Sequence, residues 1–160
     1  MAKLKIYVQG NPILKKKAKP VKKITKAHLK LLEDMYETML AAPGIGLAAP
    51  QVGVSERLIV IKVGDQKFML INPKIIKKSG KIVCTEGCLS VPGVEAPVER
   101  AKEIVVQAID KTGKKVLINA EDLLAIVFQH EIDHLDGILF VEKVTDPSQI
   151  VIKKKENIDL

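Results

Sequence analysis

Between Ile24 and Gly44 the apolar positions return at steps of three and four. Leu29, Leu32, Tyr36 and Met39 fall on one face of a helix of about four turns. Thr25 stands where an N-cap belongs, and Pro43 and Gly44 end the pattern. From Leu58 to about Leu117 the period shortens. The β-branched runs "RLIVIKV", "KFMLIN", "GKIVCTE" and "EIVVQAI" are separated by "GDQ", "NPK", "KSG" and "DKTG", which are turn compositions, so the segment reads as antiparallel strands. Helical spacing returns in "NAEDLLAIVFQHEIDHLDG", with Asn119 as the expected N-cap, Asp122 in the first turn and Gly137 as the C-terminal glycine. A short helix is expected at Asp146 and Pro147, where a C-terminal tail begins. No internal repeat, low-complexity segment or linker interrupts the chain.

At 160 residues the chain fits one domain, spanning 1–160, that can bury roughly 70% of the surface its unfolded form exposes. No stretch approaches the roughly 18 apolar residues of a membrane span, and "MAKLKIYVQGNP" lacks the apolar core of a secretory signal. A cytoplasmic location with no membrane contact is the expectation, an organelle remaining compatible. Net charge changes the picture more. Residues 1 to 32 hold ten lysines and no acid, which leaves 16 basic against 19 acidic residues elsewhere, so the excess of +7 is N-terminal. Such a face suits a polyanion such as RNA or plain solvation; with only Tyr7 available for stacking, and 24 lysines to 2 arginines overall, base recognition is disfavoured. Two cysteines in a chain this long are no disulfide framework. Cys84, inside "KIVCTE", reads as a small core residue.

The candidate chemistry lies in "QHEIDHLDG". On a helix, His130 and His134 are about 40° apart around the axis, so both rings can reach one point. They also continue a stripe from Leu123 and Val127, which places that point inside the protein. A lone histidine there would read as a core residue; a His-Glu-x-x-His array reads as a metal site. Helical geometry alone does not choose between Glu131 and Asp133 as a base, but the mechanics of the motif favour Glu131 as the proton carrier. Asp133 and Asp136 read equally as support for the site or as polar residues near the helix end. A third ligand is needed. Downstream there are only Glu142 and Asp146; upstream, "TEGCLSVPG" presents Cys88, whose thiolate suits zinc or ferrous iron. In "GIGLAAPQVG" no third glycine and no Lys-Ser/Thr follow, which excludes a phosphate loop, and the small residues suit close approach of a peptide backbone with the amide of Gln51 beside it.

Taken in order, "GIGLAAPQ", "EGCLS" and "QHEIDH" resemble the motifs of the peptide deformylases, metal-dependent hydrolases that remove the formyl group from the N-terminal formylmethionine of new proteins. The resemblance extends over essentially the whole chain. It implies an α+β fold, with antiparallel sheets packed around a central metal-binding helix and an N-terminal helix. It implies Cys88, His130 and His134 as ligands of one divalent ion, Fe2+ in the cell and replaceable by Zn2+, Ni2+ or Co2+. Glu131 would be the general acid and base, with the Gln51 side chain and the Leu89 backbone N–H as oxyanion donors. Gly44, Ile45 and Gly46 would pair with the N-formylmethionyl nascent peptide, and Ile45, Ile126, Val127 and His130 would line its methionine pocket, with Glu86 and Arg100 nearby. Two departures stand out: only 14 residues follow Asp146, so ribosome docking through a long C-terminal helix is not expected, and Glu95 stands where many members carry an arginine. Transient ribosome association remains compatible with the pattern, and no oligomeric state is implied. The competing readings are a metallopeptidase cutting internal bonds, and a non-catalytic protein with a structural metal and an RNA-binding lysine face.

Overall fold

The computed structural model describes residues 3–152. Helix α1 (Lys26–Ala41) and helix α2 (Asp122–Leu135) flank a five-stranded sheet built from β1 (Gly46–Ala48), β2 (Leu58–Val63), β3 (Gln66–Ser79), β6 (Glu103–Ile109) and β7 (Lys115–Glu121), in the order β1-β2-β3-β6-β7. A second sheet has the order β4-β5-β8 and comprises β4 (Ile82–Cys88), β5 (Val91–Arg100) and β8 (Val151–Ile152). Among the described residues every strand pairing in both sheets is antiparallel. The α+β architecture is therefore present, and among the described residues no helix is long and apolar enough to cross a membrane.

The continuous apolar run "LIVI" has its cause in this layering. Along β2, Ile59 and Ile61 point to the cluster around Ala125, Phe128 and Leu135 of α2, while Leu58 and Val60 point to Leu32, Met35 and Met39 of α1. Both faces of the strand are covered, so alternation disappears from the sequence. A third cluster, of Leu14, Val91, Ala96, Val98, Leu139 and Phe140, fastens the second sheet to the segments before α1 and after α2. Helix α2 is buried over nearly its whole length, from Leu124 to Leu135. That is why its histidines lie inside the molecule.

Several local expectations hold and others are corrected. Thr25 caps α1, with its backbone N–H donated to His28 Nδ1 at 3.1 Å. Asp146 caps the short turn Pro147–Gln149, and Gly137 takes a left-handed φ of 76° after α2. Asn119, however, is not the N-cap of α2. Strand β7 continues to Glu121 in register with Glu103, and the chain turns directly into the helix at Asp122, which has φ 54°. "NPK" is not a turn between strands: β3 runs through it with a bulge between Ile71 and Lys74, and Asn72 at φ 52° ties its side chain to both the N–H and the C=O of Val21. Strand β5 escaped the pattern because Pro92, Gly93 and Pro97 interrupt it. Cys84 is not a core residue but half-buried, on a strand at the edge of its sheet. Leu123 leaves the core stripe and is 46% exposed.

Candidate metal centre and active site

One turn of α2 brings the His130 and His134 rings to a centroid separation of 5.0 Å, edge to face. Cys88 arrives from the other sheet. It ends β4 at a tight connection, pairing with Val91, and its Sγ lies 3.2 Å from His134 Nε2. One donor atom from each of Cys88, His130 and His134 falls within 4.8 Å of the others. A thiolate and two imidazoles converging in a largely buried place suit zinc or ferrous iron, and three ligands leave a position open. The alternative third ligands are occupied elsewhere: Glu142 accepts the Leu139 N–H and pairs with Lys15, and Asp146 accepts from Ser148.

The orientation of His130 is set from behind. Its Nδ1 lies 2.9 Å from Glu86 Oε1, which leaves Nε2 for the site. Glu86 in turn accepts two hydrogen bonds of 2.8 Å from Arg100, and Arg100 donates to Asp133 at 2.6 Å. Asp133 is thus a partner of Arg100 rather than a second base, and Asp136 is bound to Arg57. Burial opposes the Glu86 charge, but the hydrogen bonds from Arg100 and His130 outweigh it and hold the carboxyl below its ordinary range. Phe140 stacks on the His130 ring at 6.0 Å.

Burial favours the neutral form of His130, yet the Cys88 and Glu86 side chains, with the nearby Glu131, raise its pKa to about 10. His134 is pushed the opposite way, by burial and by positive charge on His130. Ligation needs neutral imidazole nitrogen, so proton and metal compete for this place. Glu131 is 4% exposed, and burial pushes its carboxyl up to about 7. Its Oε1 and His134 Nδ1 are buried without a hydrogen-bond partner among the described residues. A carboxyl poised near neutrality with a free oxygen can both take and return a proton.

In front of the donors lies a cleft of about 660 Å3. It runs between two sheet edges, β1 on one side and β4 on the other. Gly44, Ile45, Gly46, Gln51, Cys88, Leu89, Ile126, Val127, His130 and Glu131 all line it, so the expected site residues meet in one place, with His134 buried behind. Gln51 is fixed at both ends of its amide: Oε1 accepts the Ala48 N–H at 2.9 Å, and Nε2 lies 3.0 Å from Ser90 Oγ and 3.7 Å from Cys88 Sγ. Ser90, fully buried, ends the "EGCLS" motif, yet the sequence reading gave it no role in the site. Ile6, far from the motifs in sequence, also lines the cleft, as do Leu123 at the start of α2 and Cys84.

Fold and site together define a metal-dependent hydrolase in which a His-Glu-x-x-His helix is completed by a cysteine from an upstream strand. The polypeptide deformylase family model matches residues 3–149, and the chain belongs to that family. A peptide deformylase of Symbiobacterium thermophilum is 57% identical over 149 residues, covering 91% of this chain and 69% of that protein. One from Carboxydothermus hydrogenoformans is 57% identical over 143 residues, covering 89% and 94%. Among solved structures, the peptide deformylase of Thermotoga maritima superposes with a TM-score of 0.89 at 41% identity, covering 91% of this chain and all of that one.

Proposed function

We propose that this protein, as a single catalytic domain, hydrolyses the formamide at the N-terminus of N-formylmethionyl nascent peptides, giving formate and a free amine. The observation that carries the reading is the meeting of the Cys88, His130 and His134 donors with Glu131 and Gln51 at one cleft. Cys88, His130 and His134 would hold one divalent ion, Fe2+ in the cell with Zn2+, Ni2+ and Co2+ as substitutes. When bound, the ion supplies Lewis acidity.

The protein's own groups do the rest. The peptide backbone lies along Gly44, Ile45 and Gly46 as an added strand at the free edge of β1. Its methionine side chain enters the apolar wall formed by Ile45, Ile126 and Val127, beside His130. Glu131 takes a proton from the attacking water and delivers it to the departing nitrogen, so that the C–N bond breaks to a neutral amine. The Gln51 Nε2 and the Leu89 N–H donate to the carbonyl oxygen as it gains charge. The Ala48 N–H on Gln51 Oε1 keeps the donor end of that amide turned to the cleft. Work on nascent chains goes with a bacterial-type cytoplasm or organelle and with transient contact to the ribosome.

The test is formate release from a short formyl-methionyl peptide by protein purified without oxygen. Release that stops on chelation and returns with Fe2+ or Ni2+ supports the reading. Absence of release from metal-loaded protein overturns it.

A further inference from the structure

The ten lysines between Lys3 and Lys30 are all exposed. Their segment is nonetheless not a loose arm. Leu14, Ala18 and Val21 turn inward and are buried, the Ala18 N–H bonds to the Leu135 carbonyl at the end of α2, and the N–H of Lys19 bonds to Ser55. Lys15, Lys16, Lys17, Lys19, Lys22 and Lys23 therefore stand on a fixed track. Within the protein, Lys15 pairs with Glu142 and Lys30 with Asp34; the other eight have no carboxylate partner among the described residues. Like charges gathered on one anchored segment repel one another, and an external polyanion relieves that repulsion.

We propose that this lysine face docks the protein on the phosphate backbone of RNA. The side chains present decide between partners. Lysines without arginines are point charges that neutralise phosphates and carry no base readout, and Tyr7, the aromatic residue of the segment, is covered by Lys5 at 5.2 Å instead of being open to stack on a base. An anionic membrane would call for several exposed bulky apolar side chains interleaved with the lysines, whereas Leu14, Ala18 and Val21 face the core and Val8 stands exposed away from Lys15 to Lys23 in the sequence. The choice of RNA among polyanions rests on the proposed function, since peptides still being made are found where RNA is dense. The track starts at the site: Ile6, directly after Lys5, lines the cleft, and the Gln9 N–H bonds to the Ser90 carbonyl. Docking there leaves the cleft itself free of lysine contacts.

The experiment measures binding of the full chain to a fluorescent RNA duplex of arbitrary sequence across a salt series. Three proteins are compared: the parent, a variant with Lys16, Lys17, Lys22 and Lys23 changed to Glu, and a control of equal charge change with Lys77, Lys78, Lys111 and Lys114 changed to Glu. Each contact to duplex nucleic acid contributes about 0.9 to the slope of log affinity against log salt, so the first variant is expected to lose roughly 3 to 4 units of slope and about 10-fold or more in affinity. The control keeps most of both. A set of Lys→Gln changes at the same four track positions repeats the comparison should charge reversal lower the melting temperature. Formate release from a short formylated peptide stays at the parent level in both variants. Equal losses in track variant and control, or tighter binding to phosphatidylserine vesicles than to RNA, would overturn the proposal. A parent that binds RNA with the expected slope but releases no formate would keep the lysine face and sink the proposed activity alone.

Discussion

Gly46 faces Glu131 so closely that a Cβ built on the glycine would lie 2.9 Å from Glu131 Cδ and nearer still to Oε2. The glycine of the first motif is thus the floor on which the carboxylate of the third motif rests. Its backbone conformation does not demand glycine, since its φ is not in the left-handed region. Gly46→Ala is expected to displace the Glu131 carboxylate and to lower kcat by about 10²-fold, as misplacement of a reacting group by about 1 Å does. Metal content should be unchanged. Parent-level kcat in steady-state assays would separate Gly46 from the mechanism.

Glu131→Gln preserves shape and removes the proton carrier. Its carboxyl is buried and pushed up to about 7, so a neutral amide suits the same place. The expected outcome is a folded, metal-containing protein with turnover lowered by about 10²-fold or more. Loss of metal in elemental analysis would make Glu131 a structural residue instead.

The two cysteines lie on one strand but face different tasks. Cys88→Ser should abolish tight metal binding, because Cys88 is one of the three converging donors. Cys84 is half-buried at the cleft with its sulfur donating to the Thr85 carbonyl at 3.6 Å, outside the group of converging donors, and Cys84→Ser should leave metal content near one per chain. The reverse pattern would overturn the ligand assignment.

Arg100 sits almost fully buried between Glu86 and Asp133. Replacing it by methionine keeps the volume but leaves the buried Glu86 carboxylate without its cation, while Asp133 keeps Lys143, which costs about 3 to 5 kcal/mol of stability. Because Glu86 orients His130, metal affinity should also fall by roughly 10- to 100-fold. Denaturant unfolding and a metal competition titration measure the two effects. A stability loss with unchanged metal affinity would limit Arg100 to packing.

Much of the site was legible because its parts are local. Two histidines one helical turn apart, with a glutamate between them, state their geometry in five residues, and the inward direction of both rings follows from their place in a stripe with Val127, although Leu123 of that stripe is exposed. Cys88 stood beside Glu142 and Asp146 as a candidate third ligand and the resemblance chose it, since nothing in "EGCLS" alone says that β4 ends against α2. What stayed hidden depends on distant pairing. Arg100 and Asp133 are 33 positions apart, and Ser90 meets Gln51 across 39. Strand β5 was masked by its prolines, and Asn72 was read as a turn because the left-handed conformation that favours asparagine in turns here serves a bulge. Cys84 looked like core because a short β-branched run does not tell whether its strand is central or at an edge.

The most direct test of the central claim compares three reactions of the metal-loaded protein by mass spectrometry. Formyl is the smallest acyl group, and the place it must occupy is bounded by Gly46, Gln51, Leu89 and Glu131, all lining the same cleft. A methyl in place of the formyl hydrogen would push the carbonyl oxygen off its donors. The penalty can exceed the roughly 10- to 200-fold typical of one methylene in a tolerant pocket, because these walls are held by packing and hydrogen bonds. The account predicts rapid loss of formyl from formyl-Met-Ala-Ser, negligible loss of acetyl from acetyl-Met-Ala-Ser, and an intact Met-Ala bond in both. Cleavage between Met and Ala, or removal of acetyl at a comparable rate, would contradict it.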